Sequence, residues 1–163
     1  MNIQTSVKLI GGGAILLSAV LWSYLKIRAE RRKTDELDAF CSLVRYIGAN
    51  IEHFSRPLPE IYSDYSDRVL DAIGFTEAMR EGGMKKAVER LSVADDKEYS
   101  REIGNFADKI GGGYREEQTE LCAYTSARLT ELLDSRRASA RDKEKLCRTI
   151  PVLLALSVLL MSV

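Results

Sequence analysis

The chain has 163 residues, enough for one modest domain, and 29% of them are charged. The 24 basic and 24 acidic residues balance, which argues against a general nucleic-acid-binding protein because such proteins are clearly basic. Three cysteines without a C-x-x-C pair argue against a disulfide framework or a zinc site, and predict reduced, half-buried thiols.

The first predicted element is an apolar helix, LIGGGAILLSAVLWSYL, at residues 9–25. As a helix it would be about 25 Å long, close to a bilayer core of roughly 30 Å. A signal peptide is the alternative, but its positive charge would precede the apolar run, and here only Lys8 does. The pattern favours an uncleaved anchor over residues 1–25. Its membrane-interface residues would be Trp22, Lys26, Arg28, Arg31 and Arg32.

A second uncharged run, residues 150–163, ends the chain and would form a helix about 21 Å long. A buried core helix or a helix lying on the membrane are alternatives, although the run has almost no polar face. We favour a short second transmembrane segment at 149–163 with Arg148 at the interface. Residues 26–148 hold 23 of the 24 lysines and arginines, so the positive-inside rule predicts a cytoplasmic middle region.

The middle region is predicted to be helical throughout. An amphipathic helix carries Leu37, Phe40, Val44, Ile47 and Ile51 at spacings of three and four, and must end before SRPLP. Arg56 and Leu58 precede prolines and should be extended. Pro59 should then open a helix that continues to Gly74.

Further along the chain, Thr76 is a predicted helix cap, and that helix breaks at Gly82–Gly83 before it resumes. Asp95 or Asp96 should cap the next helix, whose inner face is Tyr99, Ile103, Phe106 and Ile110. Gly111–Gly113 lacks the G-K-[ST] ending of a phosphate-binding loop and is interpreted as a turn between helices. The last helix begins near Tyr114, with a buried stripe at Leu121, Cys122, Thr125, Leu129, Leu132 and Leu133.

Two charge-rich stretches flank these helices, nine charges in residues 26–38 and eight in residues 134–145. We interpret them as solvated helical stalks, with ordinary charged helix ends as the alternative. The predicted fold class is therefore all-α: a cytoplasmic antiparallel helical bundle with stalks (26–148) between two transmembrane helices.

The sequence contains no recognisable catalytic pattern, and we expect a protein that is not an enzyme. The single histidine, His53, lies near a predicted helix end, where a cation is favourable. No H-E-x-x-H, catalytic triad or nucleotide loop is present, so no catalytic, cofactor-binding or metal residue is nominated.

Two motifs within the helical region resemble those of the stage III sporulation protein AB family. IEHFSRPLPEI matches the family's isoleucine, Pro-Leu and acid at Ile51, Pro57, Leu58 and Glu60. FADKIGGGYREEQ matches its phenylalanine, glycine turn and glutamine at Phe106, Gly111 and Gln118. Tyr114 stands where the family usually has an Asp that opens the last helix, so Gly113 is expected to serve there. The match is weakest over residues 70–95.

This resemblance implies a non-enzymatic platform or coupling subunit of the secretion-like channel between mother cell and forespore. The middle region is similar to an F domain of type II secretion and type IV pilus platform proteins. The expected partners are a cytoplasmic secretion-type ATPase, other channel subunits and membrane lipids, but no nucleic acid, with self-association left open. The expected location is the mother-cell membrane around the forespore, as a multi-pass protein. Alternatives are a platform component of another such system or a membrane-anchored signalling adaptor.

The motif positions also nominate contact residues. If the helical region is a docking surface, its turns supply the partner-binding residues Arg56, Pro57, Leu58, Glu60, Gly111 and Gln118. The alternative is that these positions only fix helix turns, because Pro and Gly act first on backbone shape.

Overall fold

The computed structural model describes the backbone of residues 3–161 and the side chains of residues 21, 22, 24–93 and 96–139. Helix accounts for 85% of the chain, and the described residues contain no strand, so the all-α class is confirmed. The helices are α1 (Ile3–Phe54), α2 (Leu58–Asp64), α3 (Arg68–Ala72), α4 (Phe75–Val88), α5 (Lys97–Lys109) and α6 (Arg115–Met161). A single 3-10 turn, Ser92–Asp95, precedes α5.

The chain divides into two compact units. One comprises Lys33–Ala138, and the other comprises Met1–Arg32 together with Ser139–Val163. In the second unit, Leu21, Trp22, Tyr24 and Leu25 are exposed. The predicted interface residues Lys26, Arg28, Arg31 and Arg32 are also exposed, whereas the side chain of Arg148 lies outside the described residues.

The core of the Lys33–Ala138 unit is built on three phenylalanines from three different helices. The Phe40 ring lies 6.0 Å from the rings of both Phe75 and Phe106, in edge-to-face geometry. All three side chains are fully buried. The stripe predicted for the first helix is buried from Leu37 to Ile51, and most of the stripe predicted for the last helix is buried from Cys122 to Leu133. The inner face of α5 at Tyr99, Ile103 and Phe106 is likewise confirmed.

Several local predictions agree with the structure. Helix α1 ends before the proline turn, and Gly83 interrupts α4 with a non-helical backbone. Asp96 caps α5 by accepting a hydrogen bond from the Glu98 amide at 3.3 Å. Residues 111–113 form a turn between α5 and α6, with Gly111 and Gly113 at positive φ.

The prediction of one helix from Pro59 to Gly74 is wrong, and so is the extended Leu58. Pro57 takes the N-cap position of α2, which Leu58 opens; Pro59 is tolerated there because first-turn amides lack helical acceptors. The helix then stops at Asp64, since Asp67 accepts hydrogen bonds from the amides of Val69 (2.8 Å) and Leu70 (3.1 Å) and so starts a new helix.

Two further predictions need correction. Thr76 does not cap α4; Gly74 occupies that position, and the buried Thr76 hydroxyl donates to Asp71 at 2.5 Å. The 26–38 stretch is not solvated on every side, because Glu36 and Leu37 are fully buried. A charged stretch can contain buried positions wherever a neighbouring segment supplies hydrogen bonds, as Ser92 does for Glu36.

Both described cysteines are free thiols and fully buried, more so than predicted. Burial raises the pKa of Cys41 and of Cys122 to about 11 in each case, because a buried thiolate loses its hydration. Burial likewise raises the pKa of Tyr62 to about 12. The folded state therefore binds more protons than the unfolded state between about pH 9 and 11, and stability falls as the pH rises through that window.

This burial predicts slow thiol alkylation. In a Cys147→Ser variant at pH 8, iodoacetamide should modify the folded chain far more slowly than the urea-unfolded chain, because little thiolate is present and access is blocked. Mass spectrometry of timed aliquots measures the rate at each cysteine. Equal rates in the folded and unfolded chains would contradict the buried placement.

Candidate functional site: a groove beside the glycine turn

The end of α1, the start of α2 and the glycine turn meet at one end of the Lys33–Ala138 unit. After α1 ends, Ser55 adopts a left-handed conformation (φ 52°), which reverses the chain into the proline segment. Arg115, at the start of α6, donates a hydrogen bond to the Glu52 carbonyl in the last turn of α1. This contact fixes the start of α6 beside the end of α1 across 63 residues of sequence.

An open groove of about 400 Å³ lies between these segments, and we call it groove A. It contains five of the six residues predicted to bind a partner: Arg56, Pro57, Leu58, Gly111 and Gln118. Ile51, Ser55, Pro59 and Arg115 complete its lining. The sixth predicted residue, Glu60, does not line the groove but lies 3.6 Å from Arg56 as an ion pair.

Glycine at position 111 is required by the groove's shape. Its φ of 90° is a left-handed value, and a Cβ there would lie 3.1 Å from the Leu58 side chain. The glycine therefore allows the turn to approach α2 closely. Leu58 and Gly111 therefore have a structural role in addition to lining the groove.

The two arginines that line groove A have different partners: Arg56 forms ion pairs with acidic side chains, whereas Arg115 donates to a backbone carbonyl. The Arg56 guanidinium lies 2.5 Å from Asp64, and this hydrogen bond raises the pKa of Arg56 and lowers the pKa of Asp64. Both side chains are substantially exposed, so the pair orients Arg56 more than it stabilises the fold. The lining of groove A itself contains two arginines and no acidic residue. The groove is therefore apolar on its proline side and cationic at Arg115.

The start of α6 is capped by a residue that the sequence analysis did not nominate. The Glu117 carboxylate accepts a hydrogen bond from the Tyr114 amide at 3.2 Å, which is one half of a capping box. Gly113 contributes its left-handed backbone (φ 79°), and a Cβ at that position would overlap the Glu117 carboxylate. The missing Asp is thus replaced by Glu117 and Gly113 acting together.

We expect Gly113→Ala to destabilise the protein by about 2 kcal/mol, from left-handed strain and the lost cap. Urea unfolding followed by circular dichroism measures the change. Gly104→Ala is the matched control. Its site within α5 is open, so the higher helix propensity of alanine should raise the free energy of unfolding by at most about 1 kcal/mol. If both variants shifted stability in the same direction, the capping interpretation would be wrong.

Sequence reasoning missed four lining residues of groove A: Ile51, Ser55, Pro59 and Arg115. The signal was present, since Pro59 lies within the first motif and Arg115 between Gly111 and Gln118 of the second. Their nearness in space depends on the Arg115–Glu52 contact, which joins α6 to α1. Among the described residues, no group of His, Cys, Asp and Glu could hold a metal ion.

The predicted membrane spans, 1–25 and 149–163, fall almost entirely outside the residues whose side chains are described. Over the described residues, none of the helices combines the length and apolarity needed to cross a bilayer.

Comparison with curated proteins and with solved structures gave no match. The family model for stage III sporulation protein AB matches residues 8–162, nearly the whole chain. That match includes both motifs that form groove A and the apolar runs at either end. The chain therefore belongs to the stage III sporulation protein AB family.

Proposed function

We propose that this protein is a membrane-anchored, non-enzymatic platform subunit of the secretion-like channel between mother cell and forespore. Family membership identifies it as a sporulation-related protein, and the family is not a known enzyme family. The observation that carries the proposal is the family match across residues 8–162, because it covers the apolar ends together with the helical region.

The anchoring part of the proposal rests on the chain's ends. Uncharged runs at 9–25 and 150–163 enclose the residues that carry nearly all the charge, and the two ends belong to one compact unit. Exposed Trp22 and Tyr24 precede the exposed bases Lys26 and Arg28, an order suited to a headgroup region. In this arrangement the Lys33–Ala138 unit lies in the mother-cell cytoplasm.

The coupling part of the proposal rests on the Lys33–Ala138 unit. Its aromatic core supports a turn region with an open groove, and five of the six residues predicted to bind a partner line that groove. We propose that this unit engages the channel's cytoplasmic ATPase, which would supply the energy, and that groove A is a protein-docking surface.

Topology can be tested with single cysteines placed by substitution. In a Cys147→Ser background, Asn2→Cys, Asn105→Cys and Ser162→Cys are labelled with a membrane-impermeant maleimide in intact, non-sporulating cells. Positions 2 and 162 should label at once, and exposed Asn105 only after permeabilisation. Labelling of position 105 in intact cells, or of position 162 only after lysis, would overturn the membrane arrangement.

Engagement of the ATPase needs a separate test. The full chain, tagged and extracted in mild detergent, should retain the ATPase encoded with the channel proteins through affinity purification. Circular dichroism shows whether both proteins are folded. Absence of association between two folded proteins would remove the coupling role and leave the anchoring proposal standing.

A further inference from the structure

A second open groove lies on the other side of the glycine turn, and we call it groove B. It measures about 580 Å³ and runs between the end of α5 and the first turns of α6. Its lining includes Asp108, Lys109, Glu117, Glu120, Leu121 and Tyr124. Gly111 lines groove A, while Gly112 and Gly113 line groove B, so the turn separates the two.

The two grooves differ in charge. The charged residues that line groove A are both arginines, whereas groove B has three carboxylates and one lysine. Two of those carboxylates are engaged, Asp108 with Lys85 at 2.8 Å and Glu117 with the Tyr114 amide. Within the part of the chain that the structure describes, Glu120 makes no ion pair or hydrogen bond. Glu120 is therefore the carboxylate available to an incoming cation.

Exposed aromatic side chains concentrate at this same end of the unit. Between residues 33 and 138, the large apolar side chains that are exposed are Phe54 (69%), Tyr114 (77%) and Tyr124 (61%). Phe54 adjoins Ser55 in groove A, Tyr114 adjoins Arg115, and Tyr124 lines groove B. Aromatic enrichment in one exposed patch is typical of protein–protein interfaces.

The two halves of this surface fit one another chemically. Glu120 and Tyr124 are four residues apart on α6 and so lie on one helix face. Groove A offers the apolar wall of Pro57, Leu58 and Pro59, which suits a tyrosine ring, beside Arg115, which suits a carboxylate. Because one chain carries both halves, the complementary partner is a second copy of the same chain.

We propose that groove A of one copy receives Tyr124 and Glu120 of another copy, with Glu120 paired to Arg115. The inference rests on the proposed role of groove A as a docking surface and names its occupant. Self-association of this kind gathers several copies into one platform and leaves the faces away from the turn for other subunits.

The test uses the full chain in mild detergent, expressed with two different tags in one cell and recovered through one of them. Arg115→Glu and Glu120→Arg should each lower the recovery of the second tag by about tenfold, since like charges then face each other. Mixing the two variants should restore recovery, because each then meets an opposite charge. Tyr124→Ala should also lower recovery, while Tyr124→Phe keeps the ring and should not.

Matched controls carry the same charge changes on exposed residues away from the turn, Arg101→Glu and Glu89→Arg, and should behave as wild type. No recovery of the second tag with wild-type chains would overturn the inference. Arg115→Glu also removes the hydrogen bond to the Glu52 carbonyl, so Glu120→Arg, which alters no hydrogen bond or ion pair among the described residues, is the decisive variant, and wild-type recovery with Glu120→Arg would overturn the inference as well. Recovery unaffected by the charge reversals would assign association to the apolar ends instead. If Arg115→Glu abolished ATPase capture but not self-association, the ATPase would be the occupant, and the proposed function would stand without the inference.

Discussion

Replacing Phe40 with alanine should cost about 3–5 kcal/mol of folding free energy, the largest effect expected from one substitution here. The ring is fully buried between Phe75 of α4 and Phe106 of α5, with both centroids 6.0 Å away. Truncation removes two edge-to-face contacts and leaves a cavity at the place where three helices meet. Neighbouring side chains on rigid helices can fill such a space only partly.

Urea unfolding of the full chain, followed by circular dichroism, measures this loss. Phe40→Leu should cost less, about 1–2 kcal/mol, because it retains most of the apolar volume. Phe54→Ala is the control, since the same truncation at a side chain that is 69% exposed should change stability by less than about 0.5 kcal/mol. Similar losses at positions 40 and 54 would contradict the three-helix core.

Glu36→Ala should be the second most damaging change, at about 2–3 kcal/mol. The Glu36 carboxylate is fully buried in α1 and accepts hydrogen bonds from the amide (2.8 Å) and hydroxyl (2.6 Å) of Ser92. These bonds fasten the 3-10 turn before α5 onto α1 across 56 residues of sequence. Without the carboxylate, the partly buried Ser92 amide loses its acceptor, and such an orphaned group is costly.

A double-mutant cycle isolates this contact. Ser92→Ala alone should cost about 1 kcal/mol, and much less in the Glu36→Ala background, because the partner is already gone. Glu36→Gln retains an oxygen acceptor and should fall between wild type and Glu36→Ala. Asp35→Ala is the control, an exposed acid one residue earlier that should have almost no effect. Additive losses at Glu36 and Ser92 would show that the two residues act independently.

The distinction between Asp35 and Glu36 shows where sequence reasoning reaches its limit. Both acids lie in a stretch of nine charges in thirteen residues, and composition alone marks them equally as solvated. Burial of Glu36 depends on Ser92, and no local pattern connects two residues so far apart. The same limit explains why groove B was not anticipated: five of its eight lining residues lie within the second motif, but their approach to Glu120, Leu121 and Tyr124 depends on how the turn between α5 and α6 folds.

Local backbone preferences account for most of what the sequence determined by itself. Apolar spacing identified the buried faces of α1, α5 and α6, and the proline and glycine clusters identified the principal turns, because both depend on near neighbours along the chain. Tertiary structure alone decided which turns meet. Groove A exists because α6 is held against the end of α1 through Arg115 and Glu52, and the glycine turn then meets Leu58. Such contacts arise from packing between distant segments, which periodicity along one helix does not encode.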